Sequence, residues 1–186
     1  LVNKYIEGQG SLPISREFSK QAKNLEVCLE LLDKEDFLRD NVEVSKLLLE
    51  SYAIIRSKNY SGYNIAKGKL NNALNIQPRA AYIHNALGLV YNYQEVYDSA
   101  YYHFKKAKQL VNTWNIPESN LGENFLNQHK YDDAKTHLEN ALGLTGSSQE
   151  AYIKLGVINE SQGRYNTAES YYQKVLHLQV PNYYKS

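Results

Sequence analysis

From residue 42 onward the apolar positions recur three and four residues apart, the spacing of one helix face, and polar or helix-breaking residues separate the runs. This pattern predicts helices near 42–58, 61–76, 80–94, 97–111, 115–128, 131–144, 148–161 and 165–178. Pro78, Pro117 and Pro181 lie near predicted junctions, where a helix must stop or start. Gly146-Ser147-Ser148 marks another junction, with Ser148 as the N-cap of the helix after it. Upstream, 19–32 reads as an amphipathic helix carrying Ala22, Leu25, Cys28, Leu29 and Leu32. Residues 33–40 read as a short helix or turn, 1–6 as a further helical stretch and 8–13 as a loop.

A longer period lies over the short one. Leu87-Gly88, Leu121-Gly122 and Leu155-Gly156 stand 34 residues apart, as do Tyr97, Tyr131 and Tyr165. Ala66, Ala100, Ala134 and Ala168 extend the series to four members, and Ala73, Ala107, Ala141 and Val175 run parallel to it. Self-similarity at this interval is the mark of stacked helical hairpins, in which each pair buries its apolar face on its neighbours. A glycine inside a helix costs about 1 kcal/mol against alanine. Close approach of paired helix backbones is the expected offset at Gly88, Gly122 and Gly156, with the four alanines on the facing helix. Residues 1–41 fall outside the register and are read as an N-terminal helical cap or degenerate repeat. Residues 42–186 hold four repeats, at about 47–80, 81–114, 115–148 and 149–182.

Composition narrows the picture. Apolar residues are 42% of the 186, enough for a packed interior. Lysine plus arginine number 21 against 20 acidic residues, so no general attraction to nucleic acid or anionic membrane is expected. No apolar run approaches the length of a membrane span. The single cysteine, Cys28, excludes an internal disulfide and reads as a small buried apolar group. The start of the chain lacks a signal peptide's apolar core, and the absence of methionine suggests a piece excised from a longer protein. Compartment stays open, with a cytoplasmic location favoured over a periplasmic one reached through an upstream signal.

The repeated residues resemble the tetratricopeptide repeat family. One copy reads His84-x-x-Leu87-Gly88-x-x-Tyr91, then Ala100-x-x-x-Phe104 and Ala107. The next has Glu118, Leu121-Gly122, Phe125, Ala134 and Leu138, and the last Tyr152, Leu155-Gly156, Ala168 and Tyr172. The first copy keeps only its second helix, with Ala66, Leu70, Ala73 and Pro78. Every copy departs from the family in lacking the tryptophan that opens the signature. The resemblance implies an all-α, right-handed superhelical solenoid of antiparallel helix pairs, its first helices lining a concave groove.

On that geometry the groove-lining residues are Tyr82, Asn85, Leu89, Asn92 and Tyr93 in one repeat, Asn120, Glu123 and Asn127 in the next, and Lys154 and Val157 in the last. Amide side chains donate to and accept from a peptide backbone, and tyrosines add apolar area with a polar tip. The implied function is a protein–protein interaction scaffold holding a peptide or protein segment, without catalysis. Two narrower readings share that mechanism: the peptide-sensing domain of a larger bacterial regulator, and an assembly factor of a secretion or pilus system. Repeats that grip acidic chaperone tails need a lysine where Glu150 stands, which argues against that subclass. The five histidines show no metal-ligand spacing, and no phosphate loop or nucleophile motif occurs, so neither cofactor nor metal is expected. An apolar face around Tyr172, Val175 and Leu176 is expected to stay uncapped and to invite a second copy of the chain.

Overall fold

The computed structural model describes residues 15–31, 39–57 and 60–179. The readings for 1–6, 8–13 and 33–38, the residues from Val180 on and the side chain of Cys28 lie outside what is described. Nine α-helices appear among the described residues: α1 (Ser15–Leu31), α2 (Arg39–Arg56), α3 (Tyr63–Ile76), α4 (Ala81–Tyr93), α5 (Tyr97–Leu110), α6 (Asn115–Asn127), α7 (Tyr131–Thr145), α8 (Gln149–Ser161) and α9 (Tyr165–Gln179). A 3₁₀ turn, Tyr60–Gly62, leads into α3. No strand occurs among the described residues, and no helix there is long and apolar enough to cross a membrane.

The chain divides into two compact units, Leu1–Val111 and Asn112–Ser186. In the first, α1 packs on α2, α2 on α3, α3 on α4 and α4 on α5. Its core joins Leu48, Tyr52 and Ile55 of α2, Ala66 and Leu70 of α3, and Ile83, Leu87 and Val90 of α4. In the second, α6 packs on α7, α7 on α8 and α8 on α9, and α6 also meets α8. Its core draws Ala134 and Leu138 from α7 together with Ala151, Leu155 and Ile158 from α8. Nearest neighbours in sequence are thus nearest neighbours in space within each unit, as stacked hairpins require.

The repeating glycines have a sharper cause than backbone proximity. A Cβ on Gly88 would overlap the ring of Phe104, one on Gly156 the ring of Tyr172, and one on Gly122 would lie 2.7 Å from Leu138 Cγ. The second helix drives a large side chain into a notch on the first, and the paired alanines let the backbones come close enough to seat it. At Gly122 the added Cβ would also meet backbone, at the carbonyl of Ala134.

The turn repeats in three of the hairpins as well. The N–H of Val96 donates to Tyr91, that of Lys130 to Phe125 and that of Arg164 to Asn159, each closing five residues back. This closure ends a helix through one residue of positive φ. The positions are Glu95 (61°), His129 (58°) and Gly163 (72°), again 34 residues apart. Ser148 caps α8 as read from the sequence, accepting from the N–H of Ala151 at 3.3 Å.

Candidate functional site

The predicted groove residues divide into an interior set and a surface set. On α4, Asn85 and Asn92 are buried. Asn85 hydrogen-bonds the Tyr52 hydroxyl, whose pKa burial pushes up to about 12 against the opposing effect of that bond. Tyr82, half-buried, hydrogen-bonds the Gln77 side chain. Tyr93 stacks on Tyr63 with ring centroids 6.1 Å apart, and Leu89 is half-buried against the first unit's core. The expectation of an amide row facing solvent is therefore revised in this unit. One turn of the helical stripe points at a neighbouring helix, where an amide joins two elements through hydrogen bonds.

In the second unit Asn120 is buried, Glu123 half-buried and Asn127 exposed. Lys154 runs from α8 toward α6, and its Nζ lies 2.6 Å from Glu123 Oε2 and 2.6 Å from Glu150 Oε1. Burial disfavours the ammonium, but Glu123 and Glu150 together outweigh it and hold its pKa above the ordinary lysine range. Val157 is 39% exposed and Ile153, one turn earlier, 41%. Glu160, at the far end of the same stripe, accepts a 2.8 Å hydrogen bond from the Tyr172 hydroxyl.

The expected uncapped face on α9 is smaller than its sequence suggests. Val175 is buried and Tyr172 fills the notch at Gly156, which leaves Leu176 exposed at 62%.

A second set of functional groups escaped the sequence reading. The position that holds the family's tryptophan is Glu50, His84, Glu118 and Tyr152 in successive repeats. In three hairpins it faces a titratable side chain 19 residues on. Glu50 meets Lys69 at 2.6 Å, His84 meets His103 at 3.1 Å and Glu118 meets His137 at 2.7 Å. In the fourth the ring of Tyr152 lies 6.2 Å from that of Tyr171. Glu118 is only 2% exposed, so the imidazole is a major partner for a carboxylate taken out of water. His103 is lowered to about 4, first by burial and then by His84. His84 is itself lowered by burial, partly offset by its hydrogen bond to the Pro78 backbone and reinforced by Lys106. The signal was present in the sequence: a fixed offset of 19 between polar residues, repeated at the long period. The two members of each pair are divided between two helices, outside the spacing of a metal site on one.

No group of three or more histidine, cysteine, aspartate or glutamate side chains among the described residues is arranged to hold a metal ion. Residues 119–181 match the family model for the tetratricopeptide repeat. Among solved structures, MamA of strain AMB-1 is similar at 19% identity over 95% of this chain and 94% of that one, with a TM-score of 0.62. MamA from Desulfovibrio magneticus RS-1 is similar at 16% identity over 89% and 94%, with a TM-score of 0.63. MamA of strain MSR-1 gives 19%, 95% of each chain and 0.59. At such identities the likeness is one of fold. No curated protein sequence matches the chain.

Proposed function

We propose that this chain, which carries tetratricopeptide repeats, is an interaction scaffold that holds a segment of another protein against its first helices and performs no catalysis. The repeats are taken at about 47–80, 81–114, 115–148 and 149–182. The observation that carries the proposal is the contrast along the first helices of the second unit. Their inner side chains lock the hairpins together, while Asn127 on α6 and Ile153 and Val157 on α8 stay uncovered. A receptor face set in advance loses little conformational entropy on binding, so modest contacts yield useful affinity.

The buried amide Asn120 supports this role indirectly, by holding α6 in place, while Asn85 and Asn92 serve the interior of the first unit. Glu123 and Lys154, both half-buried, form its margins, while Tyr82, Leu89 and Tyr93 belong to the first unit. The test is selection of random 12-residue peptides against the whole chain, followed by mapping of a selected peptide through amide NMR shifts. Shifts clustered on Asn127, Ile153 and Val157 are expected. Binding confined to second-helix residues such as Tyr102 would overturn the proposal.

A further inference from the structure

The outer stripe of α8 has a definite order of chemistry. Glu150, Ile153, Val157 and Glu160 fall three, four and three residues apart, within an arc of about 80° on one helix face. All four are exposed. The stripe is about 15 Å long at 1.5 Å per residue, with a carboxylate at each end and two branched apolar groups between. The cation paired with this stripe is already spent. Lys154 is 14% exposed and bound to both Glu123 and Glu150, so one carboxylate charge in that triad is left over. Glu160 adds another, and its hydrogen-bond partner, the Tyr172 hydroxyl, is a neutral donor.

We infer that this stripe docks a cationic, apolar segment of a partner protein, in which lysine or arginine residues bracket two aliphatic or aromatic side chains. The inference rests on the scaffold reading and names its ligand class. Charge complementarity selects the occupant. An acidic tail meets uncompensated carboxylates and finds Lys154 occupied, and nucleic acid or an anionic membrane is repelled for the same reason. A purely apolar segment would cover Ile153 and Val157 but would desolvate Glu150 and Glu160 without replacing their water. A partner with basic flanks satisfies both requirements together. The carboxylates contribute mainly to association rate and choice of partner, and the apolar pair to retention.

The test uses the full chain and two synthetic peptides in fluorescence anisotropy. Both are 11-residue alanine-based peptides with leucine at the fourth and eighth positions; one carries lysine at its two ends and the other glutamate. At about 50 mM salt the lysine peptide is expected to bind about tenfold tighter than its twin, and about 500 mM salt should remove most of that preference. The double substitution Ile153→Ser/Val157→Ser should weaken the lysine peptide about tenfold with an unchanged circular dichroism melt, because both side chains are substantially exposed. Equal binding of the twins, tighter binding of the glutamate peptide, no binding of either, or an unaffected double variant each overturns the inference. So does concentration-dependent self-association of the chain that the double variant abolishes, which would give the stripe to a second copy. Peptide selection that yields an acidic or uncharged consensus overturns this inference while leaving the scaffold reading intact. Selection that enriches no peptide of any kind removes the scaffold reading itself.

Discussion

His84 and His103 meet Nδ1 to Nδ1 at 3.1 Å across the hairpin of α4 and α5. One ring nitrogen donates and the other accepts, so the contact fails if both Nδ1 atoms are protonated. Tyr91 stacks on His103 at 5.4 Å, Tyr102 meets it edge-on, and the charge that acts on His84 is the cation Lys106. This surrounding resists a proton rather than welcoming one. His103 titrates at about 4 in the folded chain and near its ordinary 6.5 in the unfolded chain. The unfolded state therefore binds more protons between those values, and stability falls as pH drops from about 6.5 toward 4. Allowing for solvent screening, the loss amounts to about 1–2 kcal/mol. Urea unfolding of the native chain and of His103→Phe, followed across this range, should show a steeper pH dependence in the native chain. Parallel curves would refute the assignment.

The notch glycines and the open glycines should respond in opposite directions. Alanine at Gly88, Gly122 or Gly156 forces a methyl into Phe104, Leu138 or Tyr172, an overpacking cost of about 1–3 kcal/mol. Gly68 and Gly143 lie inside α3 and α7 with no atom within 4 Å of an added Cβ. Alanine there should stabilise by about 0.5–1 kcal/mol. Thermal melts of the five single variants check the division.

The hairpin turns invite a similar comparison. Glu95 holds a φ of 61° at the place where Gly163 holds 72°. Glu95→Gly should raise stability by up to ~1 kcal/mol by relieving left-handed strain, and Gly163→Ala should lower it by about as much. A chain indifferent to both changes would show that these turns tolerate strain through their closing hydrogen bonds.

Asn85→Ala is expected to destabilise the fold rather than act only on binding. It leaves the buried Tyr52 hydroxyl without its amide partner, at a cost of about 1–3 kcal/mol. Asn127→Ala, on an exposed position, should leave the melting temperature within error. The two melts separate an interior amide from a surface one.

The helices were legible in the sequence because two periods reinforce each other there. Spacing of three and four residues marks each helix, and the interval of 34 fixes which residue of one hairpin corresponds to which residue of the next. Ser148 was recognisable as a cap because a short polar group before an apolar run has one obvious use. Surface and interior amides were not separable. Asn85 and Asn127 both lie on first helices, but the packing of neighbouring helices on α4 buries the first, against Tyr52 of α2. Lys154 likewise looked available, since its two carboxylate neighbours lie 4 and 31 residues away and only the second helix pair brings Glu123 to it. The role of Gly88 was visible as a need for space, but the occupant of that space, the Phe104 ring, is set by how α5 packs on α4.

Similar hairpins in tandem run a hazard while the chain is still collapsing: a second helix can settle on the wrong first helix, since the small-residue seam recurs and the notch is nearly the same in three of them. The polar pairs make such errors costly. Lys69 delivered to His84 or Tyr152 would lose its carboxylate, and Glu118 offered Tyr171 would lose its imidazole. Hairpins with unlike pairs thus bear different electrostatic passwords at a common address, and the penalty on such mismatched lodgers favours correct assembly.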